Sequence, residues 1–185
     1  YTDCTVLFAD IAGFTKWCST RSPTQVFELL ETIWSAFDKI ANKRRVFKIE
    51  TIGDCYLATT GLPNPQPDHA VIMATFAFDC LRKLHELIRG QLLDGFGEDT
   101  RNLAMRFGLH SGPVTAGVLR GEKSRFQIFG DTVNIAARME SNGLREKIQV
   151  SEATANLLIE AGKQSWVTAR DELVTAKGKG DMQTY

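Results

Sequence analysis

Apolar positions recur along this chain in two periods, and their alternation predicts the order of its elements. Cys4-Thr5-Val6-Leu7-Phe8-Ala9 is a short apolar run that stops at Asp10, so a strand is expected over 3–10. Ile11-Ala12-Gly13-Phe14-Thr15 then turns sharply toward a helix. Ser22-Pro23-Thr24 is a helix start, with Ser22 as cap and Pro23 in the first helical position. Val26, Phe27, Leu29, Leu30, Ile33, Trp34, Phe37, Ile40 and Ala41 follow at helical spacing, ending near Asn42. Positions 46–60 read as a β-hairpin: Val46 to Glu50 alternate, Thr51-Ile52-Gly53-Asp54 is turn chemistry, and Cys55 opens a second run of period two. Pro63, Pro65 and Pro67 mark a loop. Asp68 is expected to cap a long helix over 69–92, with His69 solvated or locally bonded in its first turn. A polar, Gly-containing, mobile loop is expected over 94–102. Strands follow over 103–109 and 114–119, where Gly117 marks a bulge or a close backbone approach.

Strand, helix, strand, strand, helix, strand is the βαββαβ split unit of ferredoxin-like folds. It predicts an α+β sandwich, with an antiparallel or mixed sheet and helices mainly on one face. Additional C-terminal helices and small strands follow. Residues 120–125 form a charged turn and 126–129 a short apolar run. Asp131 opens a helix over 131–142 that Gly143 stops. A short strand over 148–150, a helix over 151–161 and small strands around Lys177-Gly178-Lys179-Gly180 complete the chain.

Composition narrows the class. With 185 residues, 43% hydrophobic, the chain suits a single domain over 1–185 with a sizeable core. The 22 basic and 22 acidic residues cancel, which argues against a broad nucleic-acid surface but leaves room for a local phosphate pocket. Cys4, Cys18, Cys55 and Cys80 form no C-x-x-C pair, which argues against a zinc site. Reduced thiols point to a cytoplasmic setting. No run approaches the roughly 20 apolar residues of a membrane span, and no signal peptide is visible. The chain opens almost at once on a strand and stops on one, as a domain excised from a larger protein does.

Two clusters carry candidate chemistry. Asp54, at the hairpin tip, needs a cation, a basic side chain or water. If its strand neighbours the first, Asp10 and Asp54 converge at one edge, and two such carboxylates repel unless a hard cation lies between them. The N–H groups after Asp10 would then face whatever anion that cation holds. This describes a magnesium–triphosphate site. On the helix over 131–142, Asn134 and Arg138 stand four residues apart and share a face. Spacing alone leaves two readings: an interface salt bridge plus a cap, or a pair that holds a developing negative charge.

Five motifs in order make the chain resemble a known family. They are Phe8-Ala9-Asp10-Ile11-Ala12-Gly13-Phe14-Thr15, Glu50-Thr51-Ile52-Gly53-Asp54, Arg106-Phe107-Gly108-Leu109-His110-Ser111-Gly112, the segment from Phe129 to Ser141, and Lys177-Gly178-Lys179-Gly180. Together they resemble the catalytic domain of class III adenylate and guanylate cyclases, the receptor-type guanylate cyclases included, over nearly the whole chain. The resemblance implies that Asp10, Asp54 and the Ile11 carbonyl bind two divalent cations, Mg²⁺ or Mn²⁺. It implies that Gly13, Phe14 and Thr15 offer N–H groups to phosphates, with Arg106 and Lys177 as neutralising cations. Asn134 would orient the ribose, and Arg138 would stabilise charge at the α-phosphate. In the family the aspartates come from one protomer and the Asn, Arg and Lys from the other. This chain carries both sets, so a head-to-tail homodimer with two shared sites is implied.

The implied reaction converts a purine nucleoside triphosphate, GTP or ATP, to its 3′,5′-cyclic monophosphate and pyrophosphate. Base selection falls to Glu50 and Gln127. Adenylate cyclases of the family carry Lys, with Asp or Thr, at these positions, and receptor-type guanylate cyclases carry Glu and Cys. Glu50 can accept from guanine N1–H and the 2-amino group, but repels the adenine N1 lone pair. Leaving such a group unpaired costs about 1–3 kcal/mol. Gln127 suits either purine by rotating its amide. Glu50 therefore favours GTP, and adenylate cyclase is the alternative. A catalytically silent dimerisation module would lack a metal aspartate or the Asn/Arg pair, and both are present. The Gly-Gly-Asp/Glu-Glu-Phe signature of diguanylate cyclases is absent. A polymerase palm fits poorly with zero net charge.

Overall fold

The computed structural model describes residues 1–121, 124–176 and 179–185. β1 (Cys4–Ala12) lies at the centre of a five-stranded sheet, antiparallel to β3 (Cys55–Thr60) on one side and β4 (Ala104–Gly112) on the other. β2 (Phe47–Ile52) edges β3, and β7 (Lys147–Val150) joins β4 in parallel, giving the order β2-β3-β1-β4-β7. The first four strands have the arrangement expected of the split unit, and β7 widens it.

Period two along β1 builds two cores. Leu7, Ala9 and Ile11 face α2 (Pro23–Arg44) and α3 (His69–Leu87), among Leu29, Ile33, Phe37, Met73, Phe76 and Leu84. Each such side chain, fully buried, contributes about 1.5–3 kcal/mol. Ser22 starts α2 as expected: its Oγ accepts from the Gln25 N–H, and the Gln25 side chain accepts from the Ser22 N–H. Cys4, Val6 and Leu57 face the other way, toward Val114, Ile128 and Ala136. This second layer is the hairpin of β5 (Thr115–Leu119) and β6 (Arg125–Phe129) with α5 (Asp131–Ser141). Helices thus lie mainly on the first face, as expected, and α5 alone joins the hairpin on the second. Gly108 is the reason on β4: a Cβ there would fall 1.9 Å from the Glu140 nitrogen, so only glycine lets α5 lie on the strand.

Other expectations also shift. α3 ends at Leu87 and passes through a wide turn, Ile88–Leu92, where Gly90 leaves helical geometry. The supposed mobile loop is instead α4 (Leu93–Phe96) and a 3₁₀ turn, Glu98–Asn102. It packs on α1 (Phe14–Cys18): the Phe96 ring meets Trp17 edge-on, and Trp17 Nε1 donates to Thr100 Oγ1 at 3.2 Å. Asp68 precedes α3 but makes no side-chain cap. Gly117 pairs regularly with Gln127, and the irregular register lies in β2, between Lys48 and Glu50. His69 is not solvated. It is buried, Nδ1 lies 2.7 Å from Thr5 Oγ1, and burial holds its pKa below 6.5. A bonded hydroxyl chain runs on from Thr5 through Ser111, Thr154 and Ser151 to His110.

The C-terminal part adds α6 (Glu152–Glu160), capped by Ser151, and the small hairpin of β8 (Val174–Ala176) and β9 (Gly180–Met182).

Candidate active site

The register of β1 against β3 sets Asp10 opposite Cys55, so Asp54 in the preceding turn comes beside it. Gly53 makes that turn at φ 61°. The Asp54 carboxyl lies close enough to bear on the ionisation of Asp10. Burial, then the charges of Asp54 and Glu140, push the Asp10 pKa up to about 6, against the pull of Arg106. Two adjacent, half-buried carboxyl groups, one with its pKa raised by burial and by neighbouring charges, form a donor set suited to a hard divalent cation. Among the described residues no group of three or more His, Cys, Asp or Glu side chains gathers to hold a metal. A cation at Asp10 and Asp54 would therefore draw on backbone and phosphate oxygens as well.

Arg106 faces Asp10 across the β1–β4 register. Its Nη2 donates to Asp10 Oδ2 at 2.6 Å and its Nε to Glu140 Oε1 at 3.0 Å. Glu140 was not singled out from sequence. The approach over Gly108 lays its end of α5 on β4. Its place two residues after Arg138, on another side of the helix, was the available signal.

Gly13 takes φ 86° where β1 gives way to α1, and a Cβ there would sit 3.4 Å from the Asn102 carbonyl oxygen. The first helical bond is Trp17 N–H to the Gly13 carbonyl, at 3.0 Å. The N–H groups of Phe14 and Thr15 thus precede any intrahelical acceptor. The Ile11 side chain is buried, so only its backbone can serve a ligand.

Asn134 and Arg138 are exposed on α5 and line a groove of about 650 Å³ with Asp131, Glu140, Ser141 and Lys179. Among the described residues neither side chain has a hydrogen-bond or ion-pair partner, and none links them to Asp10, Asp54 or Arg106. Lys179 Nζ pairs with Asp131 Oδ2 at 2.7 Å. Lys177 lies outside the described residues. Glu50 and Gln127 are half-buried on β2 and β6, strands joined where Phe47 and Phe126 pack edge-on with centroids 5.2 Å apart.

Fold and site together define a nucleotide cyclase catalytic module. The family model for the adenylate and guanylate cyclase catalytic domain matches residues 1–185, and the chain belongs to that family. It is 42% identical over 186 residues to Guanylate cyclase 32E of Drosophila melanogaster, a match covering 99% of this chain and 15% of that relative. The chain therefore spans only a small part of that relative's length. Among solved structures, the guanylate cyclase domain of RhGC from Catenaria anguillulae, in complex with GTP, superposes with a TM-score of 0.84 at 39% identity, covering 100% of this chain and 95% of that one. The catalytic core of a rhodopsin-guanylyl cyclase with converted specificity, in complex with ATPαS, gives 0.83 at 37% identity, covering 100% and 94%. No helix among the described residues is long and apolar enough to cross a membrane.

Proposed function

We propose that residues 1–185 form one catalytic domain that converts GTP to 3′,5′-cyclic GMP and pyrophosphate. The observation that carries this reading is the contrast within one protomer. Asp10 and Asp54 meet at the sheet edge, while the amide of Asn134 and the guanidinium of Arg138 stand in an open groove without partners. Donors held ready without acceptors fit a polyanionic ligand shared between two copies in head-to-tail arrangement.

Asp10, Asp54 and the Ile11 carbonyl would hold two divalent cations, Mg²⁺ or Mn²⁺. When bound, these supply Lewis-acid polarisation of the ribose 3′-hydroxyl and the phosphates. The N–H groups of Gly13, Phe14 and Thr15 receive phosphate oxygens at the head of α1. Arg106 exchanges its contact with Asp10 for a phosphate, and Lys177 adds a second positive charge. Across the dimer, Asn134 orients the ribose. Arg138 stabilises the charge that develops at the α-phosphorus as the 3′-oxygen attacks and pyrophosphate leaves. Glu50 accepts from guanine N1–H and the 2-amino group, and Gln127 donates to O6. The RhGC domain with GTP and the core of converted specificity with ATPαS show that related scaffolds meet either purine. Glu50 makes guanine the better fit here.

The test is turnover of GTP and ATP side by side with Mg²⁺ and with Mn²⁺, counting cyclic nucleotide and pyrophosphate. Cyclic GMP in excess over cyclic AMP is expected. A clear ATP preference would overturn the guanine assignment, and no cyclic product from either would overturn the cyclase reading.

A further inference from the structure

His69 and His110 stand at opposite ends of one run of buried hydroxyls, and the cyclase reading uses neither. His69 Nδ1 lies 2.7 Å from Thr5 Oγ1, which lies 2.8 Å from Ser111 Oγ. The run continues from Ser111 to Thr154 at 2.9 Å, from Thr154 to Ser151 at 3.3 Å, and from Ser151 to His110 Nδ1 at 2.6 Å. It leaves the start of α3, crosses from β1 to β4 and passes the cap of α6. Its four hydroxyl residues are at most 7% exposed, so bulk water offers them no other partner. Among the described residues, none of the four hydroxyls has a carbonyl oxygen or a further side chain to donate to.

The hydrogens available limit what this run can do. Five contacts join the six residues. Each hydroxyl has one hydrogen to donate, so the four hydroxyls fill four contacts. The fifth hydrogen comes from a histidine Nδ1. If His69 supplies it, every hydroxyl donates toward His110, whose Nδ1 accepts. If His110 supplies it, every hydroxyl points back toward His69. Hydrogens on both Nδ1 atoms crowd six onto five contacts, and hydrogens on neither leave one contact empty. Either fault strands a buried polar group.

We propose that the hydroxyl run makes His69 and His110 a single pH-sensitive switch, in which the two neutral rings hold opposite tautomers and only one ring can be charged at a time. A charged ring donates at Nδ1 and sets the direction of all four hydroxyls, so the other must accept at Nδ1 and stay neutral. Suppose His69 begins with its hydrogen on Nδ1. When His110 charges, His69 gives that hydrogen to Thr5, each hydroxyl passes its own onward, and His110 Nδ1 receives the last. His69 Nε2 takes one proton from solvent, so the pair gains one proton in all. Burial opposes a charge on either ring. Asp3 and Asp68 favour it on His69, and Asp131 favours it on His110 against Lys179. Asp131 opens α5, the helix of Asn134 and Arg138, so the switch links the start of α3 to the helix of the candidate site. It does not rest on the cyclase reading.

Nitrogen-15 NMR of the histidine rings in the whole chain, without nucleotide, tests this. Near neutral pH one of the two rings should carry its hydrogen on Nδ1 and the other on Nε2. On acidification, the ring that charges second should titrate about 0.5–1 pH unit lower than in a protein whose run is cut, the effect of one unmet buried hydrogen bond. Thr5→Val and Ser111→Ala cut the run at different places while leaving every charge in position. Thr5→Ser keeps the run and should keep the wild-type midpoints. His85, outside the run, should titrate alike in all four proteins. Matching tautomers in the wild type would overturn the switch, and so would unmoved midpoints in the folded cut variants. If neither cut variant folds, the wild-type tautomers still decide.

Discussion

Arg106 and Arg138 are both assigned to the triphosphate, yet the protein holds them in opposite ways. Arg106 is folded inward, donating to Asp10 and Glu140, with its side chain 30% exposed. Arg138 stands in an open groove with no partner among the described residues. The first is therefore part of the protomer's own electrostatics, because its positive charge opposes the burial and carboxylate charges that raise the Asp10 pKa. The second contributes nothing visible to the folded chain. Its open, unpartnered position is what the proposed ligand, shared with a second copy, requires.

Substitution should separate the two most widely. Arg138→Ala is expected to lower kcat by about 10³–10⁵ with no change in melting temperature, since arginines that meet a transferring phosphoryl group are worth that much. Arg106→Ala should lower activity and also destabilise the metal-free protein by about 1–3 kcal/mol, because it strands Glu140. Equal thermal shifts in the two variants would erase the distinction. Gly108→Ala should cost at least about 3 kcal/mol by denaturant unfolding, because its methyl would meet the α5 backbone; a native-like midpoint would mean that α5 does not lie as described. Glu50→Lys should shift the GTP-to-ATP ratio of kcat/KM toward ATP by about tenfold to a hundredfold, and an unmoved ratio would remove Glu50 from the purine. An equal mixture of Asp10→Ala and Arg138→Ala proteins should recover about a quarter of wild-type activity, because half the dimers then carry one intact site of two. Folded, exchanging mutants that stay silent would place both clusters in one protomer's site.

The smallest effect concerns acid. Burial holds His69 and His110 below 6.5, so their protons bind more tightly to the unfolded chain. Their share of stability is complete above pH 6.5 and is lost as pH falls through the depressed values. His69→Asn should flatten the decline in unfolding free energy below pH 6.5, while a wild-type slope would show that His69 does not take up that proton.

Much of this was legible in residue order. Ser22 caps α2 as the Ser-Pro start announced, and Gly53 takes a positive φ in the hairpin turn. Asp10 ends a short apolar run and Asp54 stands in the hairpin turn, so strand adjacency was enough to bring them together. The 94–102 segment misled because its polar residues look solvated, whereas Arg21 bonds to Asp99 and Trp17 to Thr100. His69 misled for the converse reason: nothing near it in sequence foretells Thr5, sixty-four residues away.

Periodicity, caps and turn residues, all read over a few neighbours, determined most of the strands and helices, their order and the identity of the acidic pair, though not α4 and the 3₁₀ turn after it. The union of Arg106 with Asp10 and Glu140, the covering of the second sheet face and the tie between Lys179 and Asp131 were decided only by the folded chain. Local rules describe what a segment prefers. Which charges meet across thirty or ninety residues depends on sheet register and on one glycine that lets a helix approach its strand.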